Sequence, residues 1–354
     1  MTAFREEVRS FIAAKVSPYL DEWEQAGCLP RALFLQAGAA GLLGLSGDFR
    51  RNAILATELG WAGAEAVGIA FTLQNDVVLP YLTDSTTEDQ RRRWLPGVAD
   101  GELVLAIAMT EPGAGSDLTG IRTRAVRDGE HYVVNGTKTF ISNGQNADLF
   151  VTAVRTGPEP HRGLSLLVVE SDTSGFTRGR NLDKIGLHAQ DTSELTFTDA
   201  RVPVANRLGE EGSGFYSLVH NLPQERLALA LGAVGAAEGV FARTLVDLRV
   251  GAPAQHDRFV LAELSTELDV ARTYVDDCVR EHLVGELSPV RAAKVKWWTT
   301  ELQVRVAERC LALQGIDGYL RGGRALLDAR IQTIYGGTTE IMKEIIGKGL
   351  TARA

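Results

Sequence analysis

From Met1 to about Gly101 the apolar residues recur at helical spacing: Phe4, Val8, Phe11 and Ile12 share one face, and Leu33, Leu35, Leu42 and Leu43 follow in looser form. At Glu102 the texture changes. "LVLAIAMT" is a short apolar run that closes on a glycine-rich loop, and "YVVNGTKTFIS" sets an Asn-Gly turn between two strand-like runs. "DLFVTAV", "LSLLVVE" and "SELTFTDARV" continue the series, and in the last Leu195 and Phe197 alternate with Thr196 and Thr198. Short strands joined by turns predict a small β-barrel or sandwich. After "GEEGSGF" helical spacing returns over Pro223 to about Leu248, Arg258 to Leu283, Pro289 to Leu313 and Ala325 to Gly347, which predicts a four-helix bundle. The expected fold class is α+β: an N-terminal helical domain over residues 1–101, a central β-domain over 102–208 and a C-terminal four-helix bundle over 209–354.

A chain of 354 residues is long enough for a large core of several packed units. Its formal charge of -8 argues against a nucleic-acid surface, and the run Arg91, Arg92, Arg93 reads as a solvated helix face. Cys28, Cys278 and Cys310 lie far apart without CxxC, and the histidines show no HExxH spacing, so neither a disulfide scaffold nor a metal site is expected. The opening "MTAFREEVRSFIAAKV" is charged throughout, and no stretch reaches the roughly 20 apolar residues of a membrane span. These features predict a soluble, cytoplasmic protein with no nucleic-acid or membrane partner.

Three segments carry candidate chemistry. In "MTEPGAGSD" (Met109 to Asp117), Gly113 and Gly115 would let backbone N–H groups approach an anionic or planar ligand, although such a loop is often only a turn. It is not GxGxxG, and no strand-loop-helix unit follows, which disfavours a nicotinamide site. In "NLPQERLALALGAVGAAEG", Pro223 suits a first helical position and places Gln224 and Glu225 in an opening turn, near the positive end of the helix dipole. The small residues Ala228, Gly232, Gly235, Ala236 and Gly239 that follow read most simply as tight helix packing. In "IQTIYGGTTEIMKEII", a helix breaks at Gly336 and Gly337 and resumes with Thr338 as its cap and Glu340 in its first turn. That break is either a kink or a set of free N–H donors for a developing oxyanion.

In this order the segments resemble the acyl-CoA dehydrogenase family of flavoproteins over nearly the whole chain. The resemblance is carried by "AMTEPGAGSDL", "NGTKTFISNGQNADLF", "KIGLHAQDTSEL", "RVPVANRLGEEGSGF" and "DARIQTIYGGTTEIMKEII". It implies FAD held between the β-domain and the C-terminal helices, and oxidation of a saturated acyl thioester to its trans-2-enoyl form. A carboxylate would remove the α-proton while the β-hydride passes to flavin N5. Such a proton is very weakly acidic, so the thioester oxygen must be polarised as charge develops, and the base must stand in a dry pocket.

Many members place that base directly after the tyrosine of the last motif, where this chain has Gly336. The long-chain and isovaleryl-type subset carries it on the first helix of the bundle. "LPQER" matches that alternative and makes Glu225 the implied base, with Arg226 beside it holding the helix and site. By the same resemblance, Met109 and Thr110 contact the flavin ring, Ser116 lies toward the cofactor phosphates and the substrate, and Phe140 packs on the isoalloxazine. Ser142 reaches N5 or the adjacent O4, Thr338 and Glu340 contact the FAD linker, and the Gly336 N–H polarises the thioester carbonyl.

The chain departs from the family in three places. "DLRVGAPAQHDRF" lacks the Arg-x-x-Phe-Gly pair that contacts FAD across a subunit interface, with Arg249 a weak substitute. "ALQGIDGY" keeps only Gly315, Gly318 and Tyr319 of a second cross-subunit segment, and "GLLGLSGDFRRNAIL" lacks a Gly-Gly loop. These losses motivate a specialised biosynthetic role, with the acyl group carried on CoA or on an acyl carrier protein. A homodimer or homotetramer and a flavoprotein electron acceptor are implied partners. The alternatives are a non-catalytic thioester-binding scaffold that has lost FAD, and a flavin oxidase or monooxygenase on the same fold.

Overall fold

In the computed structural model, which describes residues 1–45, 47–249, 253–320 and 323–352, the amphipathic opening forms α1 (Thr2–Phe11) with Phe4 and Val8 buried. It continues through a π-helical stretch, Ile12–Val16, and a short turn into α2 (Leu20–Ala26). Then come α3 (Arg31–Ala39), α4 (Phe49–Trp61), α5 (Glu65–Thr72), a second π-helical turn over Leu73–Val78, α6 (Leu79–Asp84) and α7 (Glu88–Ala99). A capping box starts α7: Thr87 Oγ1 accepts the Gln90 N–H, and Gln90 Oε1 accepts the Thr87 N–H. Gln90 Nε2 donates to the carbonyls of Ala205 and Arg207, at 2.7 and 2.8 Å, and so fastens α7 to the domain that follows.

The strands are β1 (Leu105–Ala108), β2 (Arg124–Asp128), β3 (His131–Ser142), β4 (Leu149–Arg155), β5 (Leu164–Glu170), β6 (Phe176–Asn181), β7 (Thr192–Pro203) and β8 (Arg207–Leu208). They join in one sheet of order β6-β7-β3-β2-β4-β5-β8, with β1 beside β4. β5 also approaches β7, and β1 approaches β3, without being hydrogen-bonded neighbours, so the sheet curls onto itself. The alternation at Leu195 and Phe197 holds, since both are buried. Asn135-Gly136, however, is not a turn. β3 runs through it, and the register against β7 shifts between Val134 and Gly136, which marks a β-bulge. A Cβ on Gly136 would come within 2.5 Å of Thr123 Oγ1, so the glycine serves close strand approach there.

The C-terminal bundle contains α8 (Gly214–Arg249), α9 (Gln255–Leu283), α10 (Pro289–Leu320), α11 (Arg324–Arg330) and α12 (Thr339–Thr351). α8 begins nine residues before Pro223, which therefore lies inside the helix. The apolar Phe215 and Leu218 extend the buried face upstream, and the missing N–H of Pro223 costs only one backbone bond. Glu225 is thus in the fourth turn, away from the helix dipole's positive end. α8 is also long and apolar enough to cross a membrane by length and composition, which the search for an apolar run did not anticipate. Its small residues raise its hydropathy, and just over half of the apolar window is buried inside the protein.

The small residues of α8 serve tight packing. Cβ atoms on Gly235 and Gly239 would overlap the carbonyls of Thr57 and Trp61, and one on Gly60 would overlap that of Gly232, so α4 and α8 meet backbone to backbone. α10 is helical up to Gly315, whose backbone (φ +59°) breaks it before it resumes to Leu320. The side chain of Arg249 lies outside the described residues.

Candidate active site

The expected fourth helix is split in two. After α11 a single 3-10 turn, Ile331–Thr333, leads to Gly336 and Gly337, whose φ of +63° and +101° lie in the region that favours glycine. Thr338 Oγ1 then accepts the Ile341 N–H at 3.2 Å and caps α12, with Glu340 in the first turn. Hydrogen bonds to its own N–H and to Thr338 hold the Glu340 carboxyl below its usual range.

Glu225 faces this break from α8. A Cβ on Gly336 would overlap Leu229 Cδ1 and stand 3.8 Å from Glu225 Oε1. A side chain at 336 would force the Leu229 side chain, one turn along α8, to move, and a carboxylate there would meet a like charge. On the other side, Lys296 of α10 donates from Nζ to the Gly337 carbonyl at 2.8 Å. Arg226 Nη2 lies 3.8 Å from where a Gly337 Cβ would stand. A cation is thus hydrogen-bonded to the glycine turn, and a second borders it.

Burial dominates the electrostatics. It pushes the Glu225 carboxyl up to about 7, against the opposing pull of Arg226 and Lys296. Burial, reinforced by Arg226 and opposed by Glu225 and Glu301, pushes Lys296 down to about 8. Glu225 Oε2 and Arg226 Nε are buried with no hydrogen-bond partner. The hydroxyl of Tyr81 is buried as well, facing Asn221, and its pKa is raised by burial and then by the nearby Glu225. Unpartnered polar atoms of this kind each cost about 1–3 kcal/mol and mark a place where a ligand completes the site.

The second set of residues lies around the loop after β1. Lys138, with no exposed side-chain surface, donates to Met109 O at 3.1 Å and to Glu111 Oε1 at 2.9 Å. Glu111 also accepts the N–H groups of Arg122 and Thr123 at 2.7 and 2.8 Å. Burial alone would raise the Glu111 carboxyl, but Lys138 and these donors hold it below its usual range. The Thr139 N–H donates to Thr110 O at 2.9 Å. Met109 and Thr110 are thereby fixed by backbone and by a buried ion pair. Gly113 and Gly115 have open space where a Cβ would be, and Ser116 is exposed beside them.

Phe140 sits at a bulge in β3 with φ +58° and is 67% exposed. A large aromatic in that backbone region is strained, and a ring turned outward gains no burial for it. Ser142 closes β3 opposite Thr192. Next to it, Asn143 (φ +58°) is fully buried, donating to Leu105 O and accepting from Gln190 Nε2. The open glycine loop, the outward aromatic and the unpartnered groups by Glu225 fit a flat, polar-edged cofactor such as FAD.

Both sets hang on the same π-helical turn. Gln74 Oε1 accepts the Leu105 N–H of β1 at 2.8 Å, and Gln224 Nε2 of α8 donates to the Asp76 carbonyl at 3.0 Å. The loop that carries Met109 to Ser116 and the helix that carries Glu225 therefore share a mount. Sequence reading did not single out Lys296, Tyr81, or the Lys138–Glu111 pair. The signal for Lys296 was present: it falls in the buried series Ala292, Lys296, Thr299, Gln303, a lysine on an apolar helix face.

Helices, a curled sheet and a helical bundle around a buried, unpartnered carboxylate define a three-domain flavoenzyme architecture. The N-terminal, middle and C-terminal domains of acyl-CoA dehydrogenase match residues 1–102, 106–200 and 212–351. The long-chain specific acyl-CoA dehydrogenase of Rattus norvegicus is 42% identical over 369 residues, covering 99% of this chain and 86% of its own. The crystal structure of an acyl-CoA dehydrogenase from Geobacillus kaustophilus superposes with a TM-score of 0.96 at 44% identity, covering 99% of this chain and 98% of its own. A more distant structure, the prolyl acyl carrier protein oxidase AnaB, gives 0.91 at 26% identity over 99% of this chain and 98% of its own. The chain belongs to the acyl-CoA dehydrogenase family, FAD-dependent oxidoreductases that act on acyl-CoA.

Proposed function

We propose that Glu225 is the base that removes the α-proton of a saturated acyl thioester, yielding the trans-2-enoyl thioester. The observation that carries this reading is the Glu225 carboxyl itself: buried, raised to about 7, with Oε2 unpartnered and Oε1 beside the glycine that blocks any base at 336. A carboxylate made this basic by burial accepts a proton readily at neutral pH and loses its burial penalty on doing so. The Gly336 N–H polarises the thioester carbonyl as the Cα–H bond breaks, and Lys296 holds that turn by its bond to Gly337. Bound FAD supplies the two-electron oxidation by accepting the β-hydride. Met109, Thr110, Ser116, Phe140, Ser142, Thr338 and Glu340 are the residues that would hold it, and Arg226 borders the thioester side.

A second reading concerns the carrier. The likeness to AnaB and the missing cross-subunit segments favour an acyl group on a carrier protein in specialised biosynthesis. Exposed apolar side chains at the end of α10, Ile316, Tyr319 and Leu320, support a homodimer or homotetramer; a flavoprotein electron acceptor is what membership of the family implies. The test is Glu225→Gln assayed with an artificial electron acceptor on matched CoA and carrier-protein thioesters. Retained turnover would remove Glu225 as the base, and rapid reoxidation in air with peroxide release would turn the assignment toward an oxidase.

A further inference from the structure

Leu229, the side chain that abuts Gly336, also lines a small, partly open cavity between α4, α5, α8 and the turn that carries Gln332. Its volume is about 10 Å³, room for roughly one water-sized group. Most of the wall is small: Ala56, Gly60, Gly68 and Gly232, with open space where a Gly232 Cβ would point. Three lining residues are polar: Thr72, Glu65 and Gln332. Gln332, 2% exposed, has no hydrogen-bond partner for Oε1. Glu65, 7% exposed, accepts from Gln303 Nε2 at 2.8 Å. Burial, then the nearby Asp328, push the Glu65 carboxyl up to about 8 against Gln303, Arg243 and Arg324, so at neutral pH it is mostly an O–H donor. An alkyl chain end would leave Gln332 Oε1 unpaired, at about 1–3 kcal/mol.

We propose that this cavity receives a hydroxyl group borne by the acyl chain, which makes a hydroxylated acyl thioester, rather than a plain alkyl one, the preferred substrate. The inference rests on the dehydrogenase reading above. The hydroxyl donates to Gln332 Oε1 and accepts from the neutral Glu65 carboxyl. An ammonium group would need Glu65 ionised, which burial opposes, and a second carboxylate would face Glu65 and Asp328. The cavity-lining Ala228 and Leu229 are one turn of α8 from Glu225, and Gly232 two turns, about 5 to 10 Å along the axis. At about 1.5 Å per carbon–carbon bond the hydroxyl lies roughly three to seven bonds beyond the α-carbon.

The experiment compares FAD-loaded enzyme on hexanoyl and octanoyl thioesters with their 6-hydroxy and 8-hydroxy counterparts, each on CoA and on a phosphopantetheinyl carrier protein. A hydroxylated substrate should exceed its plain partner in kcat/KM by about tenfold or more. Gln332→Met and Glu65→Leu should each bring that ratio to one or below. Plain chains used as well as hydroxylated ones, or a ratio unmoved in the variants, would overturn the hydroxyl site and leave the dehydrogenase reading standing. No oxidation of any thioester would overturn both.

Discussion

Replacing Glu225 by glutamine should cut turnover sharply and make the protein more stable, because the carboxylate is ionised at a cost in the folded state. Its pKa moves from 4.5 to about 7 on folding, mainly by burial. Between those values the native state binds more protons than the unfolded state, so the wild type loses stability as pH rises through this window. A shift of about 2.5 units at 1.36 kcal/mol each is about 3 kcal/mol, fully present above pH 7 and gone below about pH 4.5. Glutamine does not titrate, and its advantage over the wild type should follow that curve. With an unfolding entropy of about 2.1 cal/mol/K per residue, the gain is about 4 °C in melting temperature at pH 8 and about 1 °C at pH 5. Thermal melts of both proteins at the two pH values, beside a turnover assay expected to fall by about 10² to 10⁴, make the comparison. A variant that gains equally at both pH values, or gains nothing at pH 8, would refute the claim that burial raises Glu225.

Other parts of the site give separate expectations. Lys296→Met removes a cation that favours ionised Glu225, so the rise of kcat/KM with pH, set near 7 in the wild type, should move upward. It also leaves the Gly337 carbonyl without its donor, costing about 1–3 kcal/mol of stability in denaturant titration. Gly336→Ala adds about 1–2 kcal/mol of left-handed backbone strain and an overlap with Leu229 Cδ1, and should lower kcat/KM more than tenfold with flavin content unchanged. Leu229→Ala in the same chain should recover part of that loss. Phe140→Gly relieves comparable strain at an exposed ring, so the flavin-free protein should melt no lower while flavin dissociates more readily, read from the absorbance ratio after gel filtration.

Periodicity was a good guide wherever a face is buried in one way only. The spacing at Phe4 and Val8, the alternation at Leu195 and Phe197, and the break at Gly336 all appear in the structure. It misled where one residue has two uses. Asn135-Gly136 has the composition of a hairpin turn, but pairing with β7 on one side and close approach to Thr123 make it a bulge. Pro223 has the look of a helix start, but the apolar face of Phe215 and Leu218 carries α8 past it.

Of the candidate site, Glu225 and the two glycines were legible as residues, and the resemblance supplied their pairing. Tyr81 and the Lys138–Glu111 pair were not, and the position of Lys296 on a buried helix face did not give its role, because a buried charge or hydroxyl is defined by partners distant in the chain. Lys138 and Glu111 are 27 residues apart, and Lys296 and Gly337 are 41.

The central claim is that Glu225 takes the α-proton while the bound flavin is reduced. Anaerobic mixing of the FAD-loaded protein with a saturated acyl thioester, followed by visible absorbance and product analysis, tests it directly. Rapid bleaching with formation of the 2-enoyl thioester in the wild type, and none in Glu225→Gln, is the expected result. Bleaching in Glu225→Gln at the wild-type rate, or a wild-type flavin unchanged by every saturated thioester offered, would contradict it.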